Sequence, residues 1–289
     1  KISNGKISDS LIFVGSGDSY VAGLIAEYLT NHKCKCYSPS DLLNSKFNDD
    51  KTYCFISASG RTKSNISVAR RATESGVNTI AVTMNKDSIL SHACKRTILI
   101  PFKSEMTSIN IFSNFTANVV TCLQIAGVKI PDKLDIWHYN GVQVSQKFCD
   151  PESIADSTNN VTVFILGNNI LYPLALYASL KMTEFFGTTA VAHKLEEFCH
   201  SPIFGIKKYH QLWILGQKEE GLSQKLVELG LKLSYIELYN EETLSQLFET
   251  IFFIQNLVLH LAEKYKFTEL NYLLMKDVLR VSSDIIYSE

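Results

Sequence analysis

Apolar residues in this chain come in short continuous runs separated by longer amphipathic stretches, and the alternation repeats along its length. Short apolar runs bounded by turn formers predict buried strands, while apolar positions recurring every three or four residues predict helices packed on them. Strands are predicted at Leu11 to Gly15, Tyr53 to Ser57, Thr79 to Thr83 and Thr97 to Pro101. Helices are predicted at Ser19 to Asn31, Thr62 to Ser75, Ser88 to Ala93 and Ser108 to Ala126. Residues 127–160 break the pattern with Gly127, Pro131, Gly141, Pro151 and a polar run from Asp156 to Asn160, the composition of a linker with room for one helix. The pattern then restarts. Strands are predicted at Val161 to Leu166, Leu212 to Leu215 and Ser234 to Leu238, and helices at Pro173 to Phe186, Gly221 to Gly230, Thr243 to Tyr265 and Leu270 to Val281.

The restart is an internal repeat. Leu11-Ile-Phe-Val-Gly15 through Tyr20 aligns with Val163-Phe-Ile-Leu-Gly167 through Tyr172, so that both glycines and both tyrosines match at an offset of 152. Each copy reads as strand, glycine turn and helix. The fold class expected is α/β: two similar three-layer α/β/α domains, each with a parallel sheet, at 1–130 and 161–289 with a linker at 131–160.

Composition narrows the function classes. With 289 residues, 46% of them apolar, and a formal net charge of −1, the chain reads as globular and has no basic excess for nucleic acid or an anionic membrane surface. The longest apolar run, Ile251 to Ala262, is interrupted by Gln255, Asn256 and His260 and reads as too short to span a bilayer. No signal peptide is read, and a cytoplasmic setting is expected. The seven cysteines are an odd number, which fits reduced thiols. Cys34 and Cys36 lie near His32, but no second ligand pair follows at zinc spacing, so neither a metal nor another cofactor is expected.

The chemistry concentrates where the strand from Tyr53 ends. Ser57-Ala-Ser-Gly-Arg-Thr62 sets three hydroxyls around Gly60 just before a helix, whose free N–H groups and positive dipole end favour an anion such as phosphate. An ordinary Ser/Thr helix cap has the same appearance. The equivalent loop of the second copy, Gly216-Gln-Lys-Glu-Glu220, has no hydroxyl and two carboxylates, so one phosphate site per chain is expected.

These residues resemble the SIS (sugar isomerase) domain proteins in their tandem form, as in the isomerase half of glucosamine-6-phosphate synthase and related isomerases and deaminases. Gly15-Ser-Gly-Asp-Ser-Tyr20 is similar to the family's opening glycine turn, and Ser57 to Thr62 to its S-x-S-G-x-T loop. Asn85 to Ala93 resembles the stretch after the third strand, and Thr107-Ser108 a serine–threonine pair. In the second half, Leu180-Lys-Met-Thr-Glu184 resembles L-K-x-x-E, and Glu196-Glu-Phe-Cys-His-Ser-Pro202 resembles E-L-x-H-G-P.

The resemblance implies that Ser19, Ser57, Ser59 and Thr62 hold the phosphate of a sugar phosphate or amino-sugar phosphate. Gly17, Asp18, Ala58, Gly60, Arg61 and Ser108 would contact the rest of the substrate. It implies Glu184 as the acid/base that moves a proton between C1 and C2, Lys181 beside it, and His200 as the group assisting ring opening. It also implies a homodimer with shared sites, the histidine coming from the second subunit. Read without the family, Lys181 and Glu184 at i, i+3 are equally a helix-surface salt bridge, His200 a loop histidine, and His193 a helix-start residue. Departures from the synthase are Asp18 in place of threonine, Arg61 in place of glutamate, no lysine after Lys276, and no glutaminase part in this sequence. Two functions follow: isomerisation or deamination of a sugar phosphate, and sugar-phosphate binding without turnover in a regulatory protein. Glu184 and His200 together favour the enzyme, since a binder needs neither. The phosphoglucose/phosphomannose isomerase branch fits less well, because its glycine turn differs.

Overall fold

The structure, a computed structural model, describes residues 10–101, 110–148, 161–218, 220–237, 242–267 and 269–288. These fall into two compact units, one of residues 1–130 with 277–289 and the other of residues 131–276.

In the first unit, β1 (Leu11–Val14), β2 (Lys35–Tyr37), β3 (Thr52–Ile56), β4 (Asn78–Thr83) and β5 (Arg96–Leu99) form a parallel sheet in the order β2-β1-β3-β4-β5. Helices α1 (Asp18–Leu29), α2 (Lys63–Glu74), α3 (Ile89–Ala93) and α4 (Asn110–Ile125) cover it. Near-continuous apolar strands are what a sheet buried on both faces requires, and Phe13, Cys54, Phe55, Ile56, Ala81 and Val82 are all buried. Val14, Tyr53, Phe55 and Ala81 pack with Ile66, Val68, Ala69 and Ala72 of α2 and Leu90 of α3. α1 packs against α4.

The second unit contains α5 (Leu134–Lys147), then β6 (Thr162–Leu166), α6 (Leu171–Phe186), β7 (Thr189–His193), α7 (Leu195–His200), β8 (Gln211–Leu215), α8 (Glu220–Glu228), β9 (Lys232–Ile236), α9 (Thr243–Lys264) and α10 (Asn271–Leu274). Its parallel sheet has the order β7-β6-β8-β9, the same winding as the first four strands of the other sheet. Alternate residues of each strand face opposite layers. Phe164, Leu166, Leu212 and Ile214 pack with Phe198 of α7 and Leu226 of α8. Trp213, Leu215 and Ile236 line a space with Ala178 and Met182 of α6 and Phe253, Ile254 and Leu257 of α9. Helices α7 and α8 therefore lie on one face of this sheet, and α6 and α9 on the other. Within the segment read as a linker, α5 is bound to α9: Trp137 stacks on Phe248 at 5.1 Å and donates to Ser245 Oγ at 2.8 Å.

Several expectations are corrected. The strands β2 and β7 were not anticipated, because each is a short edge strand with only partial burial, and β2 buries only its central cysteine. His193 ends β7 rather than starting a helix, and His200 ends α7 rather than lying in a loop. The helix expected from Leu270 to Val281 is two, α10 and α11 (Lys276–Ile286), separated at Met275, whose backbone leaves the helical region at ψ 57°. Helix α9 is, by length and composition, apolar enough to cross a membrane, contrary to the reading of Ile251 to Ala262 as too short. Its most apolar stretch is 67% buried within the structure, as for a core helix. Leu238, the expected end of a strand, lies outside the described residues.

Candidate functional site

The winding of each sheet reverses direction next to its first strand, between β1 and β3 in the first unit, and open α/β sheets bind ligands in the crevice at that point. β1 and β3 pair in register, Val14 opposite Phe55, so the loops that follow them leave the same sheet edge side by side. One carries Gly17, Asp18 and Ser19; the other carries Ser57 to Thr62.

The serine loop is held tightly from beneath. Ser57 N–H donates to Val82 O, Met84 N–H and Thr83 Oγ1 both donate to Ala58 O at 3.0 Å, and Leu90 N–H donates to Gly60 O at 3.1 Å. Gly60 has a left-handed φ of +66°, and a Cβ there would stand 2.3 Å from Ser88 Oγ. Only glycine fits such a position. Buried Ser57 accepts from Gly60 N–H at 3.1 Å and meets Thr62 Oγ1 at 3.0 Å, which gathers two of the three hydroxyls; Ser59 is exposed and accepts from Arg61 N–H at 3.3 Å.

Thr62 is the N-cap residue of α2 yet makes no side-chain capping bond, so the first-turn N–H groups have no side-chain cap. The first turn has no acidic residue, and Arg61 and Lys63 bring two cations to the positive end of the helix dipole. That arrangement is unfavourable by a few tenths of a kcal/mol per charge unless an anion joins it. Residues 284–288 lie against this loop. Thr62 forms an antiparallel bridge with Tyr287, Ser288 N–H donates to Arg61 O at 2.8 Å, Arg61 Nε donates to Ser288 O at 2.9 Å, and Lys63 Nζ donates to Asp284 O.

Sequence reasoning assigned no role to Ser88, Thr83 or Asn65, though all three shape this loop. Ser88 caps α3 by accepting from Ser91 N–H, and Asn65 Nδ2 donates to Ile56 O at 2.7 Å. Ser88 was legible as an N-cap; Asn65 carries no signal of its own. Asp18 begins α1 with one carboxylate oxygen buried, and its charge suits the helix N-terminus. Ser108 lies outside the described residues.

In the second unit, Lys181 Nζ donates to Glu184 Oε2 at 2.6 Å. Burial is uneven within the pair. The lysine side chain is 1% exposed and the glutamate 38%, so the ammonium is the desolvated group. The Lys181 ammonium also lies 5.5 Å from the centre of the Tyr177 ring. His200 is on the surface, 3.9 Å from Glu196. It sits on α7, on the opposite face of the sheet from α6, which carries Lys181 and Glu184. His193 rests against Phe164 and Phe198, and burial lowers its pKa; His210, whose Nδ1 accepts from Lys207 N–H, is lowered first by burial and then by the Lys207 charge. Among the described residues no group of three metal-ligating side chains occurs. Cys34, Cys36, Cys54 and Cys122 are buried free thiols, Cys94 is half-buried and Cys199 is exposed.

The first unit is thus a doubly wound α/β unit with hydroxyls and two cations in the loop at its switch point. Residues 7–126 match the SIS domain, which bears out the resemblance for the part of the chain that holds the glycine turn and the serine loop. The chain is 24% identical over 233 residues to the glutamine–fructose-6-phosphate aminotransferase of Corynebacterium efficiens; the match takes in 74% of this chain and 37% of that protein, so the chain spans little more than a third of its length. Two solved structures share the fold. The C-terminal domain of glucosamine-fructose-6-phosphate aminotransferase from Francisella tularensis has a TM-score of 0.68 at 19% identity, and glucosamine-6-phosphate deaminase from Thermotoga maritima 0.68 at 17%; each comparison covers 90% of this chain and 86% of the other.

Proposed function

We propose that this chain is an isomerase-type enzyme acting on a phosphorylated sugar or amino sugar, of the glucosamine 6-phosphate or fructose 6-phosphate kind. The observation that carries the reading is the serine loop, where the Ser57 and Thr62 hydroxyls meet beside an exposed Ser59, at a helix N-terminus with no side-chain cap, two cations and no acidic residue in the first turn. We further propose that the second unit is a diverged second SIS domain, since its sheet repeats the winding of the first and its glycine turn recurs at an offset of 152.

In this reading Glu184 removes a proton from the carbon beside the carbonyl of the open-chain sugar and returns it to the neighbouring carbon through an enediol. The buried Lys181 ammonium offsets negative charge as it develops. His200, exposed and on the other face of its sheet from Glu184, would serve the site of a second copy of the chain, in a homodimer. The deaminase and synthase relatives favour an amino-sugar substrate.

The same exposure of His200 supports the second reading, a sugar-phosphate-binding regulatory protein without turnover. Incubation of the pure protein with glucosamine 6-phosphate, fructose 6-phosphate and glucose 6-phosphate separates the two. Conversion of at least one, abolished by Glu184→Gln with binding retained, is the result expected. Binding that raises Tm with no conversion would establish the regulator. Ser59→Ala with Thr62→Ala removes two hydrogen bonds to a charged group, each worth ~1.5 kcal/mol or more, and should weaken binding by roughly 100-fold; undiminished affinity would remove the phosphate from this loop.

A further inference from the structure

The second unit has a crevice where the first has its serine loop. Its sheet also reverses winding next to its first strand, between β6 and β8, and a cavity of about 370 Å³ opens at the carboxyl ends of those two strands. The backbone turn on one side is built as in the first unit. A Cβ on Gly167 would stand 2.4 Å from Leu171 O, as one on Gly15 would stand 2.9 Å from Ser19 O, so each glycine lets the chain fold directly back from strand into helix.

The two crevices differ in chemistry. In the second, the loop after β8 supplies Gln217 and Lys218 where the first unit supplies serines and threonine, and Glu219 and Glu220 follow in sequence. A phosphate would meet one ammonium and no hydroxyl from this loop. The floor is apolar, with Leu166, Ile214 and Leu215 buried, while the rim is amide: Asn168, Asn169, Gln217 and Gln246. Asn168 Oδ1 accepts from Leu195 N–H at 3.1 Å, which leaves its Nδ2 donors for the cavity. Tyr235 closes one side, its hydroxyl accepting from Ser223 Oγ at 2.7 Å and keeping its own proton to donate. A volume of this size is at the lower end for small-molecule sites. An apolar floor under a rim of amides and a phenol, with Lys218 the one cation among the lining residues, matches a pyranose, which has a hydrocarbon face and a circumference of hydroxyls.

We propose that the second unit holds its own ligand site in this cavity, for a neutral sugar rather than a sugar phosphate. The site stands whether or not the serine loop binds phosphate, because the two share no residue. Leu195, which lines the cavity, begins α7, so the wall of the site is continuous with the helix that carries His200.

The test is calorimetric titration of the full chain with glucose, fructose and N-acetylglucosamine, each beside its 6-phosphate. Saturable binding of at least one neutral sugar is expected. It should persist in the Ser59→Ala/Thr62→Ala variant and weaken at least about tenfold in Leu222→Trp, whose indole would fill the cavity. If that variant does not fold, Gln217→Ala with Gln246→Ala trims the rim without filling the space and should weaken binding by a similar factor. The proposal is overturned if no neutral sugar binds, if only the phosphates bind, if the cavity variants leave affinity unchanged, or if the serine-loop variant abolishes it.

Discussion

Replacing Lys181 with methionine should leave the second unit as stable as before, whereas replacing its partner Glu184 with glutamine should weaken it. The lysine side chain is 1% exposed and its Nζ lies 2.6 Å from a carboxylate that is 38% exposed. At an effective dielectric of about 20, attraction at that distance is roughly 6 kcal/mol, and desolvating the ammonium costs several kcal/mol in return. The net contribution of the pair is therefore near zero. Methionine fills similar volume with no charge to desolvate, so Lys181→Met should fall within ~1 kcal/mol of the parent. Glu184→Gln leaves the ammonium buried beside a neutral amide. Breaking a fully buried pair costs about 3–5 kcal/mol, and partial exposure of the carboxylate, which lets water substitute for it, lowers the expectation to ~2 kcal/mol. The double variant should match Lys181→Met. Urea unfolding followed by tryptophan fluorescence reads this unit selectively, since both tryptophans of the chain, Trp137 and Trp213, are buried in it. With a slope of ~2 kcal/mol per molar, Glu184→Gln should lower the midpoint by about 1 M. Loss of turnover in Lys181→Met at unchanged stability would assign the lysine to chemistry. A Lys181→Met variant destabilised by more than ~2 kcal/mol, with Glu184→Gln neutral, would refute the reasoning.

Gly60→Ala adds a left-handed strain of about 1–2 kcal/mol to a contact with Ser88 that must yield, ~3 kcal/mol together, and should lower the Tm of the first unit by roughly 10 °C; calorimetry showing no shift would mean the loop is not seated as described. Removing residues 284–289 releases Arg61 and Lys63 from backbone carbonyls, so inorganic phosphate should bind several-fold more tightly, and weaker binding would show that the segment builds the site instead of occupying it. His193 and His210 have pKa values lowered in the fold, so the unfolded chain takes up protons first as pH falls. Their contribution is complete above the ordinary histidine value of about 6.5 and is lost progressively below it. Replacing both with phenylalanine should flatten the stability of the second unit between pH 7 and 5, as read by urea midpoints. Burial pushes the Cys54 and Cys94 thiols up to about 12 and leaves Cys199 exposed. Native-state alkylation at pH 8 followed by peptide mass spectrometry should therefore mark Cys199 well before Cys54, and equal labelling would contradict the packing of β3.

Much of the first unit was legible because its strands are buried on both faces and so read as unbroken apolar runs, as Tyr53 to Ile56 do. The edge strands β2 and β7 were not, since an edge position demands little burial and Lys35-Cys-Tyr37 satisfies it with one inward side chain. Ser57 to Thr62 announced itself through residue types that only a strand-to-helix turn brings together. Nothing near Lys181 in the sequence distinguishes a solvated ion pair from one with a buried ammonium, because that depends on the helices around it.

The sequence by itself determined the α/β class, the glycine turns, the serine loop and the likeness to a SIS domain, all of which rest on local periodicity and on residues within one turn of each other. Tertiary structure alone decided which member of the Lys181–Glu184 pair is desolvated. It also decided that His200 and Glu184 lie on opposite faces of one sheet, that residues near 287 cross the loop near 61, and that a cavity opens at the second switch point. Each of these depends on which distant segments the packing of the sheets and helices brings together, and such contacts leave no periodic trace along the chain.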